Sequence, residues 1–264
     1  MFARLTPVVK NLLLINIALL LIPSFMNLEL SQYFGLRYIF ADSFQPFQFI
    51  TYMFLHAGFG HLLGNMFALF IFGPMLERFW GSKKFFIFYM VTGIGAGILY
   101  GAVNFVEMQQ LESAAEQYIE NPNYEGFVSF VQENAPKRVY QDWYPFIDSF
   151  GDNPSNENLI EGSIQRVKEL VRFYGNIPMI GASGAVFGIL FAFGFLFPNT
   201  ELFLLFPPIP IKAKYLVTFY GLYELYAGIQ NVPGDNVAHY AHLGGMLIAF
   251  ILLKIWQKDN TRFY

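Results

Sequence analysis

Ser183 stands in Gly181-Ala182-Ser183-Gly184-Ala185-Val186-Phe187-Gly188, at the head of an apolar run that ends near Phe197. A hydroxyl framed by glycines at the mouth of a membrane-grade segment becomes a chemical proposal once the histidines are counted. The chain has four, in two other apolar stretches: His56 and His61 in one, His239 and His242 in the other. Serine is a weak nucleophile until a neighbouring base takes its proton. A histidine inside a spanning segment is costly enough to mark a functional site. Helices that brought such a pair together in a bilayer would support nucleophilic hydrolysis there.

Each motif has a plainer reading. Alone, Gly184 and Gly188 form a Gly-xxx-Gly pair, which helix packing explains. Ala241-His242-Leu243-Gly244-Gly245 supplies the missing base. Gly245 and Ala249, four apart, let the last apolar helix press on the helix headed by Ser183. Close packing is what would bring Ser183 within hydrogen-bond reach of His242. Phe187, one turn below Ser183, is placed to pack on the imidazole. His239, three residues before His242, shares its face nearer the surface and reads as a cavity-lining residue or, by preference, an interface residue. His61 and Asn65, at i and i+4, share one helix face. Both can donate hydrogen bonds, as an oxyanion hole requires. On that pair alone, hydrogen bonding across helices is the stronger explanation. His56 is suited to anchor the loop before this helix. Glu77 lies about 24 Å along the helix from His61, and reads as a structural acceptor or interface charge. Near His242 in sequence the one aspartate is Asp235, in the preceding loop, so a Ser–His dyad is the economical reading. His61, His239 and His242 could ligate a metal. Without His-Glu-x-x-His or a neighbouring acid, no metal or other cofactor is expected.

The elements that must position these residues are membrane helices. Of 264 residues, 55% are hydrophobic and 13% charged, against roughly 25% charged in soluble domains. Net charge is -3, so nucleic acid is not an expected partner, and with no cysteine there is no thiol chemistry. A span needs about 20 apolar residues. Six segments approach this: 8–25, 61–79, 85–106, 183–197, 215–229 and 238–256. The first follows Arg4 and Lys10 without a convincing cleavage site, so it reads as a retained helix. The fourth is short, which is tolerable if its N-terminal end lies in a cavity walled by protein. Arg4, Lys10, Arg78, Lys83, Lys84, Lys212, Lys214, Lys254, Lys258 and Arg262 fall on one side, and the positive-inside rule makes both termini cytoplasmic.

Two long connections lie on the other side, one from about Met26 to Gly60, the other from about 107 to 178. The second holds 12 of the 19 acidic residues and five basic ones. Apolar spacing over 111–119 and 164–173 is helical, and Asn153-Pro154-Ser155-Asn156 reads as a turn. The fold class is therefore all-α: an integral membrane bundle of six helices with an acidic, mostly helical, extracytoplasmic insertion between helices three and four. The chain divides as 1–106 (helices one to three with loop 26–60), 107–178 (the insertion) and 179–264 (helices four to six). The first and last of these form one domain.

These residues resemble the rhomboid family of intramembrane serine proteases. The resemblance runs from about Phe47 to Phe250, interrupted by the insertion. It rests on His56-Ala-Gly-Phe-Gly-His61-Leu-Leu-Gly-Asn65-Met, Phe72-Gly73, Leu76-Glu77, the Ser183 segment and Ala241-His242-Leu-Gly-Gly245, in that order. It implies Ser183 as nucleophile and His242 as general base. It implies that His61, Asn65 and the Ser183 backbone N–H stabilise the oxyanion, with Gly181, Gly184, Phe187, Gly245, His239 and Glu77 supporting or packing around them. It implies membrane-anchored protein substrates cut within or beside a transmembrane segment. Tyr220, Tyr223 and Tyr226, spaced by three on helix five, read as packing or interface anchors, or else as part of a lateral gate for substrate. The compact form suggests a bacterial inner membrane; the oligomeric state is open. The long insertion departs from compact family members and bears on substrate access, not on the chemistry. Two rivals are a non-catalytic rhomboid-like binding protein, which would typically lack the serine or the histidine, and a transporter with a histidine proton relay, which should show inverted repeats.

Overall fold

The computed structural model describes residues 5–203, 209–230 and 237–260, with side chains described as far as Gln257. Arg4, Asp235, Arg262 and the side chain of Lys258 lie outside the described residues.

Helix α1 (Pro7–Met26) starts on proline, whose missing N–H is no loss in a first turn. The next two N–H groups, of Val8 and Val9, donate to the Glu77 carboxylate at 3.0 Å each. Glu77 is 2% exposed and also accepts from Ser82 Oγ at 2.6 Å. It is a structural acceptor, capping α1 from another helix. The loop that follows carries α2 (Ser31–Phe34), α3 (Gln48–Thr51) and a 3-10 turn over Tyr52–Phe54. Then come α4 (Phe59–Trp80) and α5 (Ser82–Glu120), separated by Gly81 at φ 80, a left-handed conformation that favours glycine.

Helix α5 corrects the boundary expected at 106. It runs for 39 residues, about 58 Å. The chain turns polar at Glu107 but meets no proline before Pro122, so hydropathy ends the apolar run and nothing ends the helix. The expected helical stretch 111–119 is its last part. Next are α6 (Tyr124–Asn134), α7 (Lys137–Asp152) and α8 (Glu157–Gly175). Asn123 caps α6 by accepting from Gly126 N–H at 2.8 Å, and Asn156 caps α8 by accepting from Asn158 N–H at 3.0 Å. The expected turn at 153–156 is the α7–α8 link.

Helix α9 (Ser183–Leu196) has 14 residues. An antiparallel ribbon of β1 (Glu201–Phe203) and β2 (Pro210–Lys212), in register Glu201 to Lys212, leads to α10 (Ala213–Gln230) and α11 (His239–Asn260). The ribbon corrects the all-α expectation, since three-residue strands carry no periodic signal. Among the described residues, four helices are long and apolar enough to cross a membrane: Pro7–Met26, Phe59–Trp80, Ser82–Glu120 and His239–Gln257. Helix α9 is apolar but shorter, and α10 carries Lys214 and Glu224.

Two apolar cores result. One gathers Val9, Tyr52, Leu69, Phe85, Phe88, Tyr89, Ala185, Ile189 and Ala249 from α1, the loop, α4, α5, α9 and α11. The other joins the far end of α5 to α6, α7 and α8 through Phe127, Phe130, Phe150, Val167 and Leu170. Leu36 pairs with Met179 through two backbone hydrogen bonds, 2.9 and 2.7 Å. Arg37 donates to the carbonyls of Asn176 and Gln32. The long loop is thereby tied to the strand-like segment that delivers Ser183.

Candidate active site

Extended backbone carries the chain into Ser183. After the Leu36–Met179 pairing, Gly181 N–H donates to the Tyr52 carbonyl at 2.9 Å. Gly181 has φ 137, open to glycine and closed to most other residues. A Cβ there would sit 2.9 Å from His61 Nε2 and 3.6 Å from Ser183 Oγ. The His61 ring and the Ser183 hydroxyl therefore border one point, and glycine keeps it clear. Ser183 is the first residue of α9, so its backbone N–H is among those that a helix start leaves without an internal partner.

Helices α4, α5, α10 and α11 hold α9, and its glycines meet the last three. A Cβ on Gly184 would press on Ala96 of α5, and one on Gly188 would meet Thr92 of the same helix at 2.9 Å. Gly184 also faces α11, where the same Cβ would lie 3.4 Å from the Ala241 carbonyl. The glycine of that contact is Gly245, where a Cβ would run into the Gly184 carbonyl. Above this crossing, Phe187 lies flat on His242, with ring centroids 4.1 Å apart and planes 9° off parallel. The stack fixes the imidazole plane alongside the first turn of α9.

His61 and Asn65 lie on the facing side, on α4. Ala57 N–H donates to His61 Nδ1 at 3.4 Å. That leaves Nε2, the ring nitrogen that borders Gly181, to carry the hydrogen. Asn65 is 7% exposed, and its Nδ2 has no hydrogen-bond partner among the described residues. A buried amide donor without a partner costs about 1–3 kcal/mol, a cost that an arriving oxygen would relieve. His56 packs edge-to-face on His61 at 5.0 Å. Burial, then the neighbouring His61, push His56 down to about 4, so it is neutral near pH 7 and anchors the loop without charge.

The surroundings of His242 differ most from expectation. Glu224, from the middle of α10, sets Oε2 2.6 Å from His239 Nδ1 and 2.8 Å from His242 Nδ1. The first contact is a hydrogen bond. The second is at ion-pair distance, with an angle outside hydrogen-bond geometry. All three residues are buried, at 4, 7 and 8% exposure for Glu224, His239 and His242. His239 is thus not an interface residue, because its partner comes from a third helix. Glu224 went unnoticed in the sequence because acids were sought near His242 along the chain. The available signal was a lone carboxylate inside the apolar segment 215–229, which is costly unless paired.

A family model, the Rhomboid domain, matches residues 43–110 and 158–258. The chain belongs to the rhomboid family. An uncharacterized mitochondrial rhomboid protein of Schizosaccharomyces pombe is 26% identical over 225 residues, 80% of this chain and 52% of its own length. Rhomboid protein 1, mitochondrial, of Saccharomyces cerevisiae is 26% identical over 213 residues, 79% of this chain and 42% of its own. Rhomboid-like protein 11, chloroplastic, of Arabidopsis thaliana is 31% identical over 90 residues, 33% of this chain and 30% of its own. The chain thus spans about half the length, or less, of these relatives. Family membership and the apolar helices support a multi-pass membrane protein. The bacterial inner membrane expected from compactness is overturned: the relatives that match about four-fifths of this chain are mitochondrial proteins. Compactness was a poor guide, because chain length carries no address.

Proposed function

We propose that this protein is an intramembrane serine endopeptidase that cuts membrane-anchored proteins in or beside a transmembrane segment. In this reading α1, α4, α5, α9, α10 and α11 are six spans, and 107–178 is an insertion on the side opposite the basic connections. His242 Nε2 takes the Ser183 proton as the hydroxyl oxygen bonds to the peptide carbonyl carbon. The oxyanion then accepts from His61 Nε2–H, Asn65 Nδ2–H and the Ser183 backbone N–H. Collapse passes the proton from His242 to the leaving amine and leaves an acyl-enzyme. Water hydrolyses it with His242 again as base.

The observation that carries this reading is the unpartnered, buried Asn65 Nδ2 on the same helix face as His61, whose Nε2 borders Gly181 beside Ser183. Interhelical hydrogen bonding, the plainer account of the pair, would have given that amide a partner. The test is cleavage of a single-span reporter by detergent-purified protein, wild type beside Ser183→Ala. Cleavage lost in the variant, with fluorophosphonate labelling of Ser183 in the wild type, is expected. Cleavage that persists in Ser183→Ala refutes the serine mechanism. No cleavage and no labelling of the wild type favours a rhomboid-like binding protein.

A further inference from the structure

We infer that Glu224 is a positioning residue for His242, its carboxylate completing a Ser183–His242–Glu224 arrangement while His239 holds that carboxylate from the other side. This rests on the serine-protease reading above and extends it by a group that a dyad does not require.

An ionised carboxylate inside a spanning helix is tolerated only when paired. Helix α10 buries four residues, Ala213, Val217, Glu224 and Gly228, so Glu224 is the one charged group on its inner face. Nothing on α10 itself explains it. The explanation lies on α11, where two imidazoles one helical turn apart both present Nδ1 to a single oxygen, at 2.6 and 2.8 Å. These separations are a hydrogen bond at His239 and an ion-pair contact at His242. They are too short for a zinc ion between N and O, whose bonds of about 2.0–2.2 Å at tetrahedral angles hold ligands more than about 3 Å apart. A carboxylate hydrogen-bonded to His239 and paired by charge with His242, not metal ligation, is what the arrangement fits.

A carboxylate on Nδ1 does two things for a base. It keeps the neutral ring protonated at Nδ1, so the Nε2 lone pair is free to take the hydroxyl proton. It also stabilises the imidazolium once Ser183 has given that proton up; the electron pair of the O–H bond then forms the new C–O bond, and Glu224 itself gains no proton. Phe187 holds the plane of the ring, and Glu224 holds its rotation within that plane. His239 Nδ1–H donates to the same oxygen and keeps the carboxylate from turning away. The charged and titratable groups around His242 are Glu224 on α10, His239 on its own helix and His61 on α4. Among these Glu224 is the anion.

The experiment uses the full chain in detergent, with reporter cleavage measured across pH for wild type, Ser183→Ala, Glu224→Gln and Glu224→Asp. Ser183→Ala comes first: if it still cleaves, the protease reading fails and this inference goes with it. If it is inactive, Glu224→Gln is expected to lower kcat by about 10²–10⁴-fold with KM within threefold. Its acid limb of kcat/KM should move to lower pH, because the anion that stabilised the protonated ring is gone. Glu224→Asp keeps the charge, so it should keep the wild-type limb and regain at least tenfold in kcat. A folded Glu224→Gln with kcat within threefold and an unmoved limb overturns the inference. So does activity that a chelator abolishes and zinc restores. Should Glu224→Gln not fold, Glu224→Asp decides: kcat lowered fivefold or more with the limb in place supports the assignment, and a smaller loss overturns it.

Discussion

Replacing Gly245 by alanine should disable this protein more than any other single methyl group. The added Cβ would run into the Gly184 carbonyl, which is backbone in the first turn of α9. Side chains can turn aside, but this oxygen cannot: α9 is fixed on its other face, where Gly184 meets Ala96 and Gly188 meets Thr92. Non-bonded contacts settle near 3.5 Å, so α9 and α11 must part by on the order of 1 Å. Overpacking of that kind costs about 1–3 kcal/mol. The separation also falls between Ser183 and His242, where a misplacement of about 1 Å costs roughly 10²-fold in rate. Two readouts follow, the thermal unfolding midpoint in detergent and kcat for reporter cleavage at a temperature where the protein stays folded. Gly64→Ala is the control. It sits one residue from Asn65 on α4, with nothing within 4 Å of a new Cβ, and should leave both readouts near wild type. If Gly245→Ala kept kcat within threefold while Gly64→Ala did the same, tight apposition of these two backbones would not be what sets the reacting distance.

Two further predictions separate stability from chemistry. Glu77→Ala leaves the N–H groups of Val8 and Val9 and the Ser82 hydroxyl without their acceptor; at about 1–3 kcal/mol for each buried group left unpaired, the unfolding midpoint should drop by several degrees while kcat per folded molecule stays near wild type, and an unchanged midpoint would refute the capping role. His56 is held neutral well below its ordinary value of 6.5, at about 4, so below pH 6.5 the unfolded chain binds a proton that the folded chain refuses, and stability should fall from pH 6.5 towards pH 4 by on the order of 1–3 kcal/mol after screening. His56→Phe should flatten that dependence in unfolding curves taken across this range, and an equally steep dependence in the variant would mean that other groups carry it.

The nucleophile, the base and the oxyanion candidates were legible in the sequence because each lies in a short motif whose spacing has one physical reading. Ser183 is framed by glycines, His242 precedes Gly245, and His61 and Asn65 share a face. Glu224 was not legible in that way, since its partners lie 15 and 18 positions along the chain and across a helix boundary. Local spacing says nothing about such a pair; a charge out of place in an apolar segment does. The continuous α5 was missed for a related reason. Hydropathy reports where a bilayer would end, and helix propensity reports where a helix would, and between Val106 and Glu120 the two disagree. The ribbon of β1 and β2 is too short to register by either measure.

Placing the supporting carboxylate on α10 has a consequence for how substrate entry and chemistry relate. Helix α10 is lightly held: it buries four residues and exposes Phe219, Tyr220, Leu222, Tyr223, Leu225 and Tyr226. Its polar ties to α11 include the Glu224 contacts and the hydrogen bond from Tyr240 to the Gly228 carbonyl at 3.0 Å. Phe187 of α9 meets Tyr220 of α10 edge-to-face at 6.2 Å while it stacks on His242. Any outward swing of α10 wide enough to admit a helix between it and α9 must therefore withdraw Glu224 from His242 and Tyr220 from Phe187 together. The base would lose its anion while the gap stood open and regain it as α10 returned. A site built this way is least reactive when most open to the bilayer, and the coupling needs no part beyond one carboxylate on the moving helix.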